Sequence, residues 1–362
     1  MDITLKDLDC LELGNFLDPC NFNSAAYYNN IMTGMNKRQS WEPIFRDVNI
    51  LYEGMYRSQL DGAIIDPVMS TSVEQSPMNR DLFIERFKDF LLPFKESQLG
   101  VQLSGGLDSG VIIGLLNALE LDYSLIGMQS GRYEFRTESH VQNLYKSSGK
   151  EVYLLDYEDY LPFSGIENIP NVDIPDVVSV DCSSAIKMAE LCRSLGIEVL
   201  LSGMGGDVVF VEDANSASRS QLWKPQTHAC DWIRKYVYQP AGVDYLSPYT
   251  DLGLAESIYH MRRGEPADPF KKWARNYFRD YIPRELADFT YCGDYWSMYL
   301  DGFSQNRHHI LDAYESIQRE SGIEIYKADT IISKIEKGDI LRDKKSFSEY
   351  EYLYSLLSWL LN

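Results

Sequence analysis

Long hydrophobic runs are missing from this 362-residue sequence. No stretch reaches the ~18 apolar residues that a membrane-spanning helix needs. Basic residues are few: 34 Lys and Arg stand against 54 Asp and Glu, leaving a net charge of −20. So acidic a balance argues against non-specific binding to nucleic acid or to an anionic membrane. The expectation is no nucleic-acid partner and no membrane partner. The six cysteines form no C-x-x-C pair, which disfavours a zinc ribbon, an iron–sulfur cluster or thioredoxin-like redox chemistry. Scattered thiols of this kind suit a reducing compartment. Asp2, Lys6 and Asp7 interrupt the start, where a signal peptide would carry an apolar run. A cytoplasmic location is expected. Internal repeats and low-complexity tracts are also absent.

What is present is an alternation of short apolar runs with helical patterns. Residues 44–64 alternate and carry Asp61-Gly62, a hairpin signal. Residues 69–79 are polar and read as a linker, and 80–94 have the apolar spacing of an amphipathic helix. Strands are expected at 123–128, 150–157 and 197–203, with helices over 137–149 and 177–196. A proline-marked loop falls at 169–175. Strands alternating with helices predict an α/β fold with a doubly wound, mostly parallel sheet. From 207 onward the pattern turns mostly helical, punctuated by Pro248, Pro266, Pro269 and Pro283. Near the end, Ser346 and Glu349 have capping-box spacing. The organisation expected is an N-terminal segment with a hairpin over 1–78, then one large domain over 79–362 with a helical C-terminal part.

Chemistry concentrates in "GVQLSGGLDSGVIIGLL", residues 100–116. Val101, Gln102 and Leu103 end a buried strand, and Val111, Ile112, Leu115 and Leu116 recur at helical spacing. Between them lies a tight turn at Gly105 and Gly106. A helix that begins there aims free N–H groups and its dipole at whatever fills the turn, an arrangement that suits an anion. The hydroxyls of Ser104 and Ser109 add donors. Asp108 would repel a bare phosphate, and makes sense if a divalent cation lies between them. No Gly-Lys-Ser/Thr follows, so this is not a Walker A loop, and it does not match G-x-G-x-x-G.

S-G-G-L-D-S between a strand and a helix resembles the pyrophosphate loop of the N-type ATP pyrophosphatases. A second turn, "LLSGMGGDVVF" at 200–210, resembles the S-G-x-G-x-D-E-x-F segment of the asparagine synthetase group, which includes β-lactam synthetase and the lasso-peptide cyclases. "GVDYLSPYTD" (242–251) is similar to that group's G-L-E-x-R-x-P-F-L-D, and "KKWARNYFRDYIP" (271–283) to its K-x-x-L-R followed by Leu-Pro. The resemblance spans about residues 40–290. It implies an ATP pyrophosphatase-type fold, with ATP and Mg2+ as cofactors. Asp108 and Asp207 would hold the magnesium. Ser104, Gly105, Gly106 and Ser109 would cradle the pyrophosphate, and Gly205 and Gly206 of the second turn join the cofactor-binding set. Leu103, Ile126, Ser202 and Gly203 fall where the group lines its adenosine pocket. Lys271, Arg275 and Asp244 become the catalytic candidates.

The implied reaction is AMP- and pyrophosphate-forming amide-bond synthesis. A small-molecule or peptide carboxylate is adenylated and then joined to an amine. Three departures bear on it. Met1-Asp2 stands where the group's glutaminase domain would start with cysteine, so ammonia from glutamine is not expected within this chain. The amine would be free ammonia, an amine of the substrate itself, or ammonia from a separate subunit. Met204 occupies the variable position of S-G-x-G, where asparagine synthetase has Glu and β-lactam synthetase Tyr. Phe289 and Tyr291 replace the Arg-x-Lys that often follows Leu-Pro. The Gly-Gly-Asp turn and the Trp-Leu ending resemble the peptide-modifying branch, so a peptide macrolactam synthetase is an alternative. A non-catalytic nucleotide-binding scaffold is the alternative outside the enzymes. Ser184 and Lys187 match S-x-x-K without any partner motif, and His308-His309 lacks further ligands at metal spacing. Both pairs read as structural.

Overall fold

The computed structural model describes residues 2–3, 49–50, 56–57, 64–65, 79–133, 136–211, 219–288, 295–320, 323–337 and 344–361. Strand β1 (Asp2–Ile3) pairs in parallel with β2 (Asn49–Ile50). Strand β3 (Tyr56–Arg57) pairs antiparallel with β4 (Ile64–Ile65), as the hairpin reading requires. The Asp61-Gly62 turn and the polar linker before Asn79 lie outside the described residues. Asn79 caps helix α1 (Arg80–Leu91), its Oδ1 accepting the Leu82 N–H at 2.9 Å. Phe83, Phe87 and Leu91 form the buried stripe of that helix.

The chain then alternates: β5 (Leu99–Gln102), α2 (Leu107–Ala118), β6 (Ser124–Gln129), α3 (Arg136–Ser147), β7 (Val152–Asp156), α4 (Cys182–Ser194) and β8 (Val199–Leu201). After α5 (Gly206–Val211) and α6 (Arg219–Ile233) comes β9 (Asp244–Leu246). These five longer strands form one sheet in the order β7-β6-β5-β8-β9, every neighbouring pair parallel. The doubly wound α/β architecture is therefore present. Strand order reverses between β5 and β8, which opens a crevice at their carboxyl ends, where ligands bind in such sheets.

Strand periodicity divides the interior into two cores, since successive side chains point to opposite faces. Leu125, Val199, Leu201 and Leu246 join the core under α1, α2 and α5. Ile126, Leu200 and Tyr245 join the core under α4 and the C-terminal helices. The remaining helices are α7 (Leu252–Met261), α8 (Lys272–Tyr277), α9 (Arg284–Asp288), α10 (Trp296–Glu320), α11 (Ala328–Glu336) and α12 (Lys344–Leu360).

Two expectations need correction, while the region after 207, mostly helical as expected, also contributes β9 as an edge strand of the sheet. The helix expected over 177–196 is a 3-10 turn, Val177–Asp181, before α4 begins. Asp176 sets this turn by accepting the Val178 N–H at 2.9 Å. At the C-terminus, α12 starts at Lys344, so Ser346 lies within the first turn and is not its N-cap. Glu349 instead pairs with Lys334 of α11.

Two further acids lie on the α4/α12 side of the sheet. Burial pushes the Asp181 carboxyl up to about 6 although Tyr299 Oη donates to it at 2.6 Å. Glu351 on α12 is pushed up to about 8, by burial first and then by Asp181. An acid whose pKa is raised on folding costs stability as pH rises from the ordinary carboxylate range through the raised value. Glu351→Gln is therefore expected to raise the melting temperature, with a gain that grows between pH 5 and pH 8. Thermal melts of both proteins across that range check it; a gain independent of pH would contradict the assignment.

Candidate active site

Two glycine turns meet at the crevice. The first follows β5, where Gly105 takes φ +84°, and Gly106 begins α2 with no side chain capping it. The leading N–H groups of α2 thus remain available to an anion. Ser104 Oγ accepts the Gly106 N–H at 3.1 Å and lies 3.0 Å from Ser109 Oγ, which holds the turn shut on itself. Tyr249 Oη donates to the Asp108 carbonyl at 2.8 Å, and Trp223 Nε1 donates to the Tyr249 carbonyl at 2.7 Å. The second turn follows β8, with Gly205 at φ +82°. A Cβ on Gly206 would lie 2.4 Å from Asp108 Cγ. This explains the third glycine of S-G-M-G-G-D: the Asp108 carboxylate rests directly against that backbone.

Lys271 joins the turns. Its Nζ lies 2.7 Å from both carboxylate oxygens of Asp108 and 2.6 Å from Asp207 Oδ1. The lysine and Asp108 side chains are 7% and 17% exposed, whereas Asp207 is 84% exposed, so the cluster opens to solvent on the Asp207 side. Burial foremost, with Asp207 adding, pushes the Asp108 carboxyl above its usual range against the pull of Lys271. Burial works against the Lys271 ammonium, but the two carboxylates outweigh it and raise its pKa.

The backbone at Lys271 is left-handed, φ 52° and ψ 36°. A non-glycine residue there costs about 1–3 kcal/mol and persists only when its surroundings hold it. They do. Asp268 accepts the N–H of Phe270 at 3.0 Å and of Lys272 at 2.9 Å. Arg275 donates from Nε to the Phe270 carbonyl at 2.9 Å and from a terminal nitrogen to the Leu286 carbonyl. Arg275 therefore positions the segment that carries Lys271.

The catalytic candidates thus separate. Lys271 is in the cluster and Arg275 supports it from behind. Asp244 opens β9 in register with Val199, at the amino end of the sheet, where Arg234 holds it at 2.6 Å and 3.1 Å. It is not brought to the turns. Ile126 is fully buried in the core. Met128, two residues on and on the same face of β6, lines a cleft beside Leu103 and Ser104. Ser202 is 3% exposed and its hydroxyl is engaged by protein groups. Gly203 packs against Asp108. Ser184 Oγ donates to the Asp181 carbonyl and Lys187 pairs with Glu190, while the rings of His308 and His309 lie against each other at a tilt on α10. Phe289 and Tyr291 lie outside the described residues.

The cluster fits a divalent cation. One cationic group already bridges both carboxylates, so they lie close enough to share an ion. Hard oxygen donors suit Mg2+, which takes one or two carboxylates and completes its shell with phosphate oxygens and water. Among the described residues no group of three or more His, Cys, Asp or Glu gathers at a metal distance.

The asparagine synthase family model matches residues 94–277, just over half of the chain. The chain belongs to the asparagine synthase family. That places it among ATP-dependent carbon–nitrogen ligases of the PP-loop type. No curated protein sequence matches it significantly. Among solved structures it is similar to an NMN synthetase from Francisella tularensis, at 11% identity and TM-score 0.32, covering 79% of this chain and 97% of that one. An NH3-dependent NAD synthetase from Campylobacter jejuni is similar at 10% identity and TM-score 0.34, covering 74% and 99%. Among the described residues no helix of this asparagine synthase family member is long and apolar enough to cross a membrane.

Several residues of the site escape a reading of local pattern. Gln142 donates from Nε2 to the carbonyls of Leu103 at 3.2 Å and Met128 at 2.8 Å, tying the ends of β5 and β6. Tyr245 and Tyr249 act from below the turns. The bridge by Lys271 generates a test. Millimolar Mg2+ without nucleotide is expected to leave the wild-type melting temperature unchanged, because the Lys271 ammonium already occupies the place between the carboxylates. It should raise that of Lys271→Met, where the carboxylates face each other uncompensated. A thermal-shift titration checks this; equal responses would show that the lysine does not occupy the cation's place.

Proposed function

We propose that this chain is an AMP-forming amide synthetase. A carboxylate oxygen of the substrate attacks the α-phosphorus of ATP, and the bond to the β-phosphate oxygen breaks, releasing pyrophosphate. An amine nitrogen then attacks the acyl carbon, the carbon–oxygen bond to AMP breaks, and the ammonium proton leaves to solvent. The observation that carries this reading is the Asp108–Lys271–Asp207 cluster where the two turns meet. Magnesium held by the two aspartates would neutralise the leaving pyrophosphate. The chain's own groups do the rest. The free N–H groups of α2 and the hydroxyls around Ser104 bind phosphate oxygens. Lys271, released from the carboxylates, meets the negative charge that develops on them. Met204 takes no proton, so proton removal from the amine does not run through the S-G-x-G position.

Product analysis tests the reading. With ATP, Mg2+, ammonium and a panel of amino-acid carboxylates, the expected products are AMP and pyrophosphate. ADP and phosphate would overturn it. Asp108→Asn should slow pyrophosphate release by about 10²-fold or more, whereas Asp244→Asn should leave it near wild type. Equal losses in both variants would contradict the separation of the two residues.

A further inference from the structure

The cleft beside Ser104 is lined by Gln102, Leu103, Met128, Gln129, Ser139 and Tyr157, among others, and among the described residues no charged side chain contributes to it. It begins at the phosphate turn and runs along the carboxyl ends of β5 and β6. A carboxylate substrate would find no cation there. An uncharged, partly apolar group joined to a phosphate would fit its chemistry.

Gln102 ends β5 and faces this cleft, and its amide orientation is dictated from behind. Ser202 Oγ accepts the Tyr245 hydroxyl at 2.7 Å and the Met204 N–H at 3.2 Å. A hydroxyl has two acceptor positions and one proton. The Ser202 proton therefore goes to Gln102 Oε1, 2.8 Å away, with Tyr245 Oη a further 3.3 Å neighbour of the same oxygen. Tyr245 is itself fixed, 3% exposed and stacked on Tyr238 at 4.6 Å. With the amide oxygen tied down, the –NH2 end points the other way. Among the described residues Gln102 Nε2 has no acceptor. A strand that is otherwise apolar thus ends in a polar side chain with its two donors preset and unpaired.

We infer that Gln102 is a selectivity-determining residue that donates its amide N–H to an acceptor atom of the nucleoside part of the bound nucleotide. The inference rests on the ligase reading above, because that reading puts the phosphates on the adjoining turn. The Tyr245–Ser202–Gln102 relay costs no reorganisation on binding, since the donors already face the cleft.

The test is binding of two probes, AMP and inorganic tripolyphosphate, by calorimetry with Mg2+ present. Gln102→Glu keeps an oxygen for Ser202 and removes both donors. Gln102→Met removes the donors without adding charge. AMP affinity should fall about tenfold in Gln102→Met, the loss of roughly one neutral hydrogen bond with its partner left unpaired. It should fall further in Gln102→Glu, whose second oxygen would face an acceptor. Tripolyphosphate affinity should hold in Gln102→Met, and melting temperatures report on the fold. Unchanged AMP affinity in both variants, or an equal loss of AMP and tripolyphosphate in Gln102→Met, would overturn the inference. Failure of the wild-type chain to bind either probe would overturn the ligase reading, and this inference with it.

Discussion

One ammonium group between two carboxylates organises this molecule. Lys271 reaches Asp108 after one strand of the sheet and Asp207 after another, two segments that come together only when β5 and β8 lie side by side. The three charges leave the cluster with one net negative charge, partly buried. Buried charges are tolerated only when paired, and here each charge is supplied by a different stretch of chain. The contact therefore depends on the whole fold being correct.

The rest of the fold serves that contact. Strand alternation buries one side chain of each pair against α1, α2 and α5 and the next against α4 and the C-terminal helices. The strands are thereby held at a fixed depth, and the turns at their ends at a fixed height. Reversal of strand order between β5 and β8 leaves the gap. Gly206 lets the second turn lie against Asp108, and Tyr249 and Trp223 tie α2 to the far side of the site. The strained backbone of Lys271 is held by Asp268 and Arg275, neither of which need touch a substrate.

Much of this was legible in the residues. The glycine turns declared themselves because their meaning is local: an apolar run, a turn that tolerates positive φ, and a helix. Asp108 stood out because a carboxylate in an anion-binding turn calls for a cation, and Asp207 entered through the resemblance of the second turn to a family segment. Lys271 was legible through its resemblance to a family segment, and β9 was lost in a region that otherwise reads as helical because three residues are too few to show alternation. Asp244 entered through a resemblance to a family segment, and only the register of β9 reveals that it lies at the other end of the sheet. Ile126 and Met128 share a face, and nothing local tells which of the two reaches the cleft. Gln102 carried a signal, a polar residue at the end of a buried strand, but its partner Ser202 is 100 residues away. Such long-range hydrogen bonds are invisible to periodicity.

The central claim is that the two turns and the lysine form one phosphate and metal site. A crystal structure of the chain with Mn2+ and a non-hydrolysable ATP analogue tests it most directly, since manganese is located by its anomalous scattering. The account predicts a single manganese between the Asp108 and Asp207 carboxylates, with the phosphates on the Ser104 turn and Lys271 Nζ moved from the carboxylates onto a phosphate oxygen. A manganese bound elsewhere, with Lys271 still bridging the two aspartates and nucleotide present, would contradict it.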